Sequence, residues 1–408
     1  MKEKKNIAFF LYGFPIISET FILNQIIALK NDGHHVDIYA TFKSKDNIVH
    51  QKLLDYQLME NVVFLDSLPN RRIGKLKLFF KKIFSNINLR DLFLFFSYIN
   101  YLILNKKRHV SFYSVIHFLG KPNYDILHAH YGVTGNLVAN LKSIGLFHKS
   151  KLVTTFHGFD FRVDRPDYYN NLFKVCSIFT VNSQYSKMKL VELGCNQDKI
   201  ELLPVGINSD EFQIPNNSTE LRDINFTIIF IGRLYEIKAP DLFIEICNQL
   251  NQKKYFPFRA ILIGDGEQKA SLEKKIADNA LEQCVKMTGP QTQDEIIRYL
   301  SKADIFIMTG KEVDGLAETQ GLVIQEAQAM GIPVIISDLG GMKEGIIPNE
   351  TGFIVEAGNI DMFIEKIKLL HDNPELRKKM GEAGRNFVKS NYDSAILNQK
   401  LLNIYNRT

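Results

Sequence analysis

Four cysteines in 408 residues, Cys176, Cys195, Cys247 and Cys284, stand far apart, with none of the short spacings of a zinc site or a disulfide framework. That scarcity fits a reducing compartment. No leader is legible either: the charged residues 1–5 run directly into an apolar stretch at 6–11, so a cytoplasmic location is expected. The strongly apolar stretch 92–104 is too short to cross a bilayer and is interrupted by Ser97 and Asn100. No recognised nucleic-acid-binding module occurs, and no acidic pair makes a convincing metal motif. Asp265 and Glu267 are the nearest candidates, and both read as caps of the helix that follows them.

What is present is apolar and periodic. A chain of this length with 45% hydrophobic residues can bury two full cores, and two domains are expected. A net charge of +5 is mild, but it is unevenly placed. Arg71, Arg72, Lys75, Lys77, Lys81 and Lys82 occur with no acid among them, interleaved with Leu76, Leu78, Phe79, Phe80, Ile83 and Phe84. This is the pattern of a basic amphipathic helix. Two readings of residues 71–121 stand: helices that dock on an anionic inner leaflet, or core helices of the first domain with solvated lysines.

Strand-like runs alternate with helical ones through both halves of the chain, the signature of a parallel sheet flanked by helices. The first series occupies residues 1–212, with strands expected at 6–11, 36–40, 124–128, 151–155, 179–182 and 199–203. A polar linker is expected at 213–224, a second series at 225–385, and a final helix, 386–408, that crosses back to the first domain. Polar side chains collect where strands end, the edge at which open α/β sheets bind ligands.

Three clusters at such positions carry chemistry. After the strand at 226–231 come Gly232, Arg233 and, five positions after the arginine, Lys238, at the start of a helix opened by Pro240. Cations are disfavoured at that end of a helix dipole, so an anion is expected beside them. A second cluster begins with Glu318 in a loop, continues through Gly321 at the mouth of an apolar helix, and ends with Glu326 on its second turn. Free N–H groups at a helix mouth suit a phosphate, and ionised carboxylates suit the hydroxyls of a sugar. The third cluster is His157, Gly158 and Asp160 after the strand at 151–155, on the same rim as residues 14–20. By residue type alone, Ser18 reads as the N-cap of the first helix and His128 and His130 as structural.

Glu318-x7-Glu326, with Gly321 three positions after the first acid, resembles the signature of the family-four retaining glycosyltransferases, which have the two-domain GT-B fold. Gly232-Arg233-Leu234 with Lys238 resembles that family's diphosphate clamp, and His157-Gly158-x-Asp160 its histidine motif. Phe14-Pro15-x-x-Ser18-Glu19-Thr20-Phe21-Ile22 resembles the opening of glycosyltransferases that build exopolysaccharides, including those of colanic-acid type. The resemblance implies two doubly wound Rossmann-like domains facing across a cleft. It further implies that Glu318 contacts the donor sugar, Glu326 the ribose, Arg233 and Lys238 the diphosphate, and His157 the donor hexose, with Asp160 in support. Gly13, Gly232, Gly264, Thr288, Gly321, Leu322 and Val323 would complete the donor site, and Ser18, Glu19, Thr20 and His130 would face the acceptor.

The chain departs from the family at Gln320, where many relatives carry Phe, and in its first loop, whose glycine-rich run is reduced to Gly13. The expected reaction moves a hexose from a UDP- or GDP-linked sugar to a saccharide, or a lipid-linked saccharide, without a metal or other cofactor. Peripheral contact with the inner membrane and no nucleic-acid partner complete the expectation. A catalytically inactive nucleotide-sugar scaffold or sensor is the alternative.

Overall fold

The computed structural model describes residues 4–16, 19–44, 51–66, 117–118, 121, 123–163, 165, 167–213 and 225–408. Ser18, nearly all of the expected linker, and residues 71–121 apart from His117, Phe118 and Lys121 lie outside the described residues. Two compact units divide the chain. The first comprises Met1–Val181, Lys187–Leu203 and Asn398–Thr408, and the second Asn182–Ser186 and Pro204–Leu397. The division thus falls at Pro204, and five residues from the middle of the first βα series belong to the second unit.

The first unit runs β1 (Asn6–Phe14), α1 (Thr20–Asn31), β2 (His35–Lys43), α2 (Gln51–Asp55), β3 (Val62–Phe64), β4 (Ile126–His130), α3 (Gly132–Ser143), β5 (Lys151–Phe156), α4 (Asn170–Val175) and β6 (Ile178–Val181). After α5 (Gln184–Glu192), β7 (Ile200–Leu202) closes a parallel sheet in the order β3-β2-β1-β4-β5-β6-β7. β1 is buried from Ile7 to Leu11, which is why its sequence is continuously apolar: both faces of a central parallel strand are covered. β1 is longer than the apolar run suggested, because pairing with β2 continues through Gly13 opposite Phe42 and Phe14 opposite Lys43.

The second unit runs β8 (Phe226–Ile231), α6 (Pro240–Lys253), β9 (Phe258–Ile263), α7 (Lys269–Asp278), β10 (Val285–Gly289), α8 (Gln293–Leu300), β11 (Ile305–Met308), α9 (Leu322–Ala329), β12 (Val334–Ser337), β13 (Gly352–Val355), α10 (Ile360–Asp372) and α11 (Pro374–Asn391). Its parallel sheet has the order β10-β9-β8-β11-β12-β13. Alternation within β8 builds two cores: Ile228 and Phe230 pack with Phe243, Cys247 and Leu250 of α6 on one face. Ile229 and Ile231 pack with Ile297, Ile324 and Ala327 on the other. In both sheets the strand order reverses beside the first strand of the unit, β1 and then β8. The loops leaving each pair of neighbours therefore diverge, opening a crevice at the carboxyl edge.

α12 (Ser394–Arg407) ends the chain, and from Asn398 onward it belongs to the first unit. There the buried Tyr405 Oη lies 2.6 Å from His128 Nδ1. Among the described residues no helix is long and apolar enough to cross a membrane.

Candidate active site

The crevice of the second unit lies between the loops that follow β8 and β11, and it is built largely from main chain. Gly232 N–H donates to Ile263 O at 3.0 Å, and Gly264 N–H to Gly289 O at 3.1 Å, so the loops after β8, β9 and β10 are stitched edge to edge. Gly264 has φ +146°, and a Cβ there would overlap the Gly232 carbonyl. Only glycine lets these two loops approach so closely. The chain then turns through Glu236–Lys238 and the left-handed Ala239 into α6. Thr309 Oγ1, after β11, donates to Ala239 O at 2.7 Å and ties this turn to the neighbouring strand.

The two charged motifs meet here. Lys238 Nζ is 2.5 Å from Glu318 Oε2, with side chains only 12% and 18% exposed. Burial pushes the Glu318 carboxyl up, but the Lys238 ammonium, the Gln320 backbone N–H and the nearby Arg233 charge outweigh it and hold the acid below its ordinary value. The Arg233 guanidinium lies 5.3 Å from the centre of the Tyr235 ring. The anion expected beside the cations is therefore a carboxylate of the same chain. α9 opens on Gly321 at φ +76° and has no side-chain cap, so its mouth presents main-chain donors. Glu326, partly exposed on the second turn, has its carboxyl pushed up to about 7 by burial. The glycine pair after β12 closes against the acid loop: Gly341 N–H donates to Glu318 O at 2.8 Å.

In the first unit, β1, β4 and β5 bring a second polar cluster to their carboxyl edge. His130 Nδ1 is 3.2 Å from His157 Nε2, and His130 Nε2 is 3.1 Å from Gln25 Oε1. The Gln25 oxygen can only accept, so the neutral His130 carries its proton on Nε2, and its Nδ1 accepts from His157 Nε2–H. The two rings are nearly parallel, with centroids 5.5 Å apart. Burial pushes His157 down to about 3 and, with the neighbouring histidines, holds His130 well below its ordinary value. Asp160 accepts from His157 N–H at 2.6 Å and Gly132 N–H at 2.8 Å. Its burial nevertheless raises the carboxyl to about 7 against the pull of those two donors. Tyr131 Oη donates to Glu19 Oε1 at 2.6 Å.

Several expected residues stand elsewhere than the sequence suggested. Gly13 is a paired strand residue, not part of a phosphate loop: a Cβ there would come within 2.8 Å of the Phe42 ring, so the glycine serves sheet packing. Glu19, not Ser18, is the residue before α1, and its side chain makes no cap because it is bonded to Tyr131. Thr20 is the first residue of that helix. His130 is 1% exposed with both ring nitrogens engaged, so it positions His157 and presents no free edge to a ligand. Neither Asp265 nor Glu267 caps α7; Asp265 Oδ1 accepts the N–H of Gly266 instead. Thr288, by contrast, keeps its expected place near the end of a strand, β10, where its hydroxyl donates to Gly289 O at 3.1 Å.

Gln25, Tyr131 and Asn182 were missed in the sequence. Gln25 sits among Ile22, Leu23, Ile26 and Ile27 of α1, and a polar residue inside such an apolar run was the available signal. Gln320 stood out only as a departure from the Phe of many relatives, yet its amide bonds both main-chain groups of Val205.

Two parallel sheets with reversed strand order, the second carrying paired cations and acids at its switch point, are the architecture of the GT-B glycosyltransferases. Residues 18–211 match the family described as Glycosyltransferase Family 4, and residues 213–387 that described as Glycosyl transferases group 1. The amylovoran biosynthesis glycosyltransferase AmsK of Erwinia amylovora is 30% identical over 370 residues, 86% of this chain and 87% of that protein. WcaL of Escherichia coli strain K12, named for colanic acid biosynthesis, is 26% identical over 419 residues, 98% of each chain. The crystal structure of HepE from Anabaena in complex with UDP shares the fold with a TM-score of 0.73 at 18% identity, covering 99% of this chain and 100% of that one. The chain belongs to the family-four glycosyltransferases.

Proposed function

We propose that the chain is a retaining transferase that moves a hexose from a nucleoside diphosphate sugar to a saccharide acceptor in surface polysaccharide biosynthesis. The observation that carries this reading is the Lys238–Glu318 pair beside the uncapped mouth of α9. In it the bond from the anomeric carbon to the diphosphate breaks, the bond to the acceptor oxygen forms on the same face, and the acceptor proton passes to the leaving phosphate. Arg233, Lys238 and the N–H groups of Leu322 and Val323 hold the charge that develops on the diphosphate, in place of a metal. Arg233 offers a planar fork and Lys238 a mobile point charge. Glu318, kept ionised by Lys238, accepts hydroxyls of the hexose, and Glu326 those of the ribose. His157, held neutral and fixed by His130, takes a hexose hydroxyl, and Glu19 with Thr20 faces the acceptor.

The names of AmsK and WcaL support the pathway class, and the UDP in the HepE crystals supports a nucleotide donor. A lipid-linked acceptor reached from the inner membrane face is the reading favoured by the basic, aromatic run at 71–84. The test is release of nucleoside diphosphate from a panel of UDP- and GDP-hexoses, followed by single turnover with a native acceptor. Formation of a glycoside with the donor's anomeric configuration is expected. Donor binding without any new glycoside would make the chain a scaffold or sensor, and inverted product would remove the retaining mechanism.

A further inference from the structure

The loop that carries Glu318 is fastened by residues to which no role has been given above. Ala317 N–H donates to Tyr185 Oη at 2.9 Å, and Asn182 Nδ2 donates to Thr319 Oγ1 at 3.0 Å. Gln320 closes a two-point clasp on Val205: its Oε1 accepts the N–H at 2.8 Å and its Nε2 donates to the carbonyl at 2.8 Å. Residues on both sides of the acid are thus tied to two short segments, one around Asn182–Ser186 and one around Val205. These segments flank Lys187–Leu203, a stretch that itself belongs to the first unit.

The first segment is itself secured. Both oxygens of Glu344 accept from the start of α5, from Gln184 N–H at 2.7 Å and Tyr185 N–H at 3.1 Å. Ser186 Oγ donates to Asn182 Oδ1 at 2.7 Å, which turns the Asn182 amide so that its N–H faces Thr319. Asn182, Thr319 and Gln320 are 8%, 7% and 5% exposed, so breaking any of these bonds leaves a polar group stranded away from water. Simple packing would not need this. An apolar residue at 320 would fill the same space with no direction to it.

We propose that Asn182, Thr319 and Gln320 are positioning residues: they fix the main chain on either side of Glu318 so that its carboxylate meets Lys238 and the donor sugar in one geometry. The inference deepens the functional reading above and rests on Glu318 acting at the donor sugar. It makes the two crossing points of the chain, at 182–186 and at 204–206, part of what sets turnover.

Three variants of the full chain test it: Gln320→Leu and Thr319→Val, which keep volume and remove the bonds, and Thr319→Ser, which restores the hydroxyl. With the nucleotide sugar that the wild type hydrolyses fastest, the first two should lose about tenfold in kcat with KM within about twofold, and Thr319→Ser should stay near wild type. Unchanged kcat, or equal loss in Thr319→Ser and Thr319→Val, overturns the proposal. A second measurement needs no donor: amide hydrogen exchange across residues 317–321 should quicken about tenfold in the first two variants while β11 and α9 keep their protection. Unchanged exchange also overturns it. A wild type that cleaves no nucleotide sugar at all contradicts the functional reading alone, and the exchange measurement then decides the clasp.

Discussion

Lys238 Nζ and Glu318 Oε2, 2.5 Å apart, bring together the loops after two neighbouring strands, β8 and β11. The pair gives the cation an anionic partner and keeps the acid charged despite its burial. A unit charge pair at ~4 Å is worth about 4 kcal/mol at an effective dielectric near 20, and desolvation cancels much of it. The pair is therefore a means of presetting geometry more than a source of stability.

Lys238→Ala is expected to lower donor turnover on the order of a hundredfold, equal to about 3 kcal/mol in barrier. It also strands the Glu318 carboxylate, so the chain should lose on the order of 2 kcal/mol of stability by urea unfolding. Glu318→Gln removes the charge from the other side and should lower turnover with a smaller loss of stability.

Glu326 offers a test with opposite signs for stability and function. Between the ordinary carboxyl range and about 7 the folded chain holds a proton that the unfolded chain has released, so raising the pH through that window costs stability. Glu326→Gln should therefore melt higher than the wild type at pH 8, by on the order of 1 kcal/mol after allowing for its partial exposure, and no differently at pH 4. Calorimetric affinity for nucleoside diphosphate should fall in the same variant.

The buried histidines set the acid limb of the first unit. Burial, with the charge of a neighbouring histidine, holds His128 down to about 3, burial holds His157 to a similar value, and His130 is well below ordinary. Below the ordinary histidine range the unfolded chain takes up protons that the folded chain refuses, so stability falls as pH drops. The raised carboxyls of Glu19 and Asp160 act in the opposite direction over part of that window. Glu326 in the second unit adds to those carboxyls, so the imidazole contribution is read by difference: from pH 7 to pH 5 the melting temperature followed by circular dichroism should fall further, or rise less, in the wild type than in His130→Gln.

Gly264→Ala places a methyl group against the Gly232 carbonyl at a φ that side chains rarely adopt. Both loops would have to part, and a loss of about 3 kcal/mol or more in unfolding free energy is expected. The contrast is Gly289→Ala, where nothing lies within 4 Å of the added carbon and only the strained φ of +75° is felt.

Both sheets were legible in the sequence because parallel strands covered on two faces read as unbroken apolar runs: Phe226–Ile231 was delimited to the residue. Lys238 and Glu318 could be chosen separately by their places at a helix start and before a helix mouth. Their meeting could not, since it depends on β8 and β11 being neighbours across the reversal in strand order. Gly13 misled because a glycine near the end of an apolar run reads as a turn, whereas here it makes room for the Phe42 ring of the next strand. The bonds of Gln320 and Asn182 were invisible for a related reason: each is one polar residue whose partner lies more than a hundred positions away in the chain.

Calorimetric titration of UDP and GDP into the wild type and into Arg233→Ala tests the central claim, that the second unit is built to hold a nucleoside diphosphate, most directly. The account predicts that one of the two nucleotides binds the wild type without added metal and at least about tenfold more weakly to the variant. Heat from neither nucleotide, or equal affinity in both proteins, would contradict it.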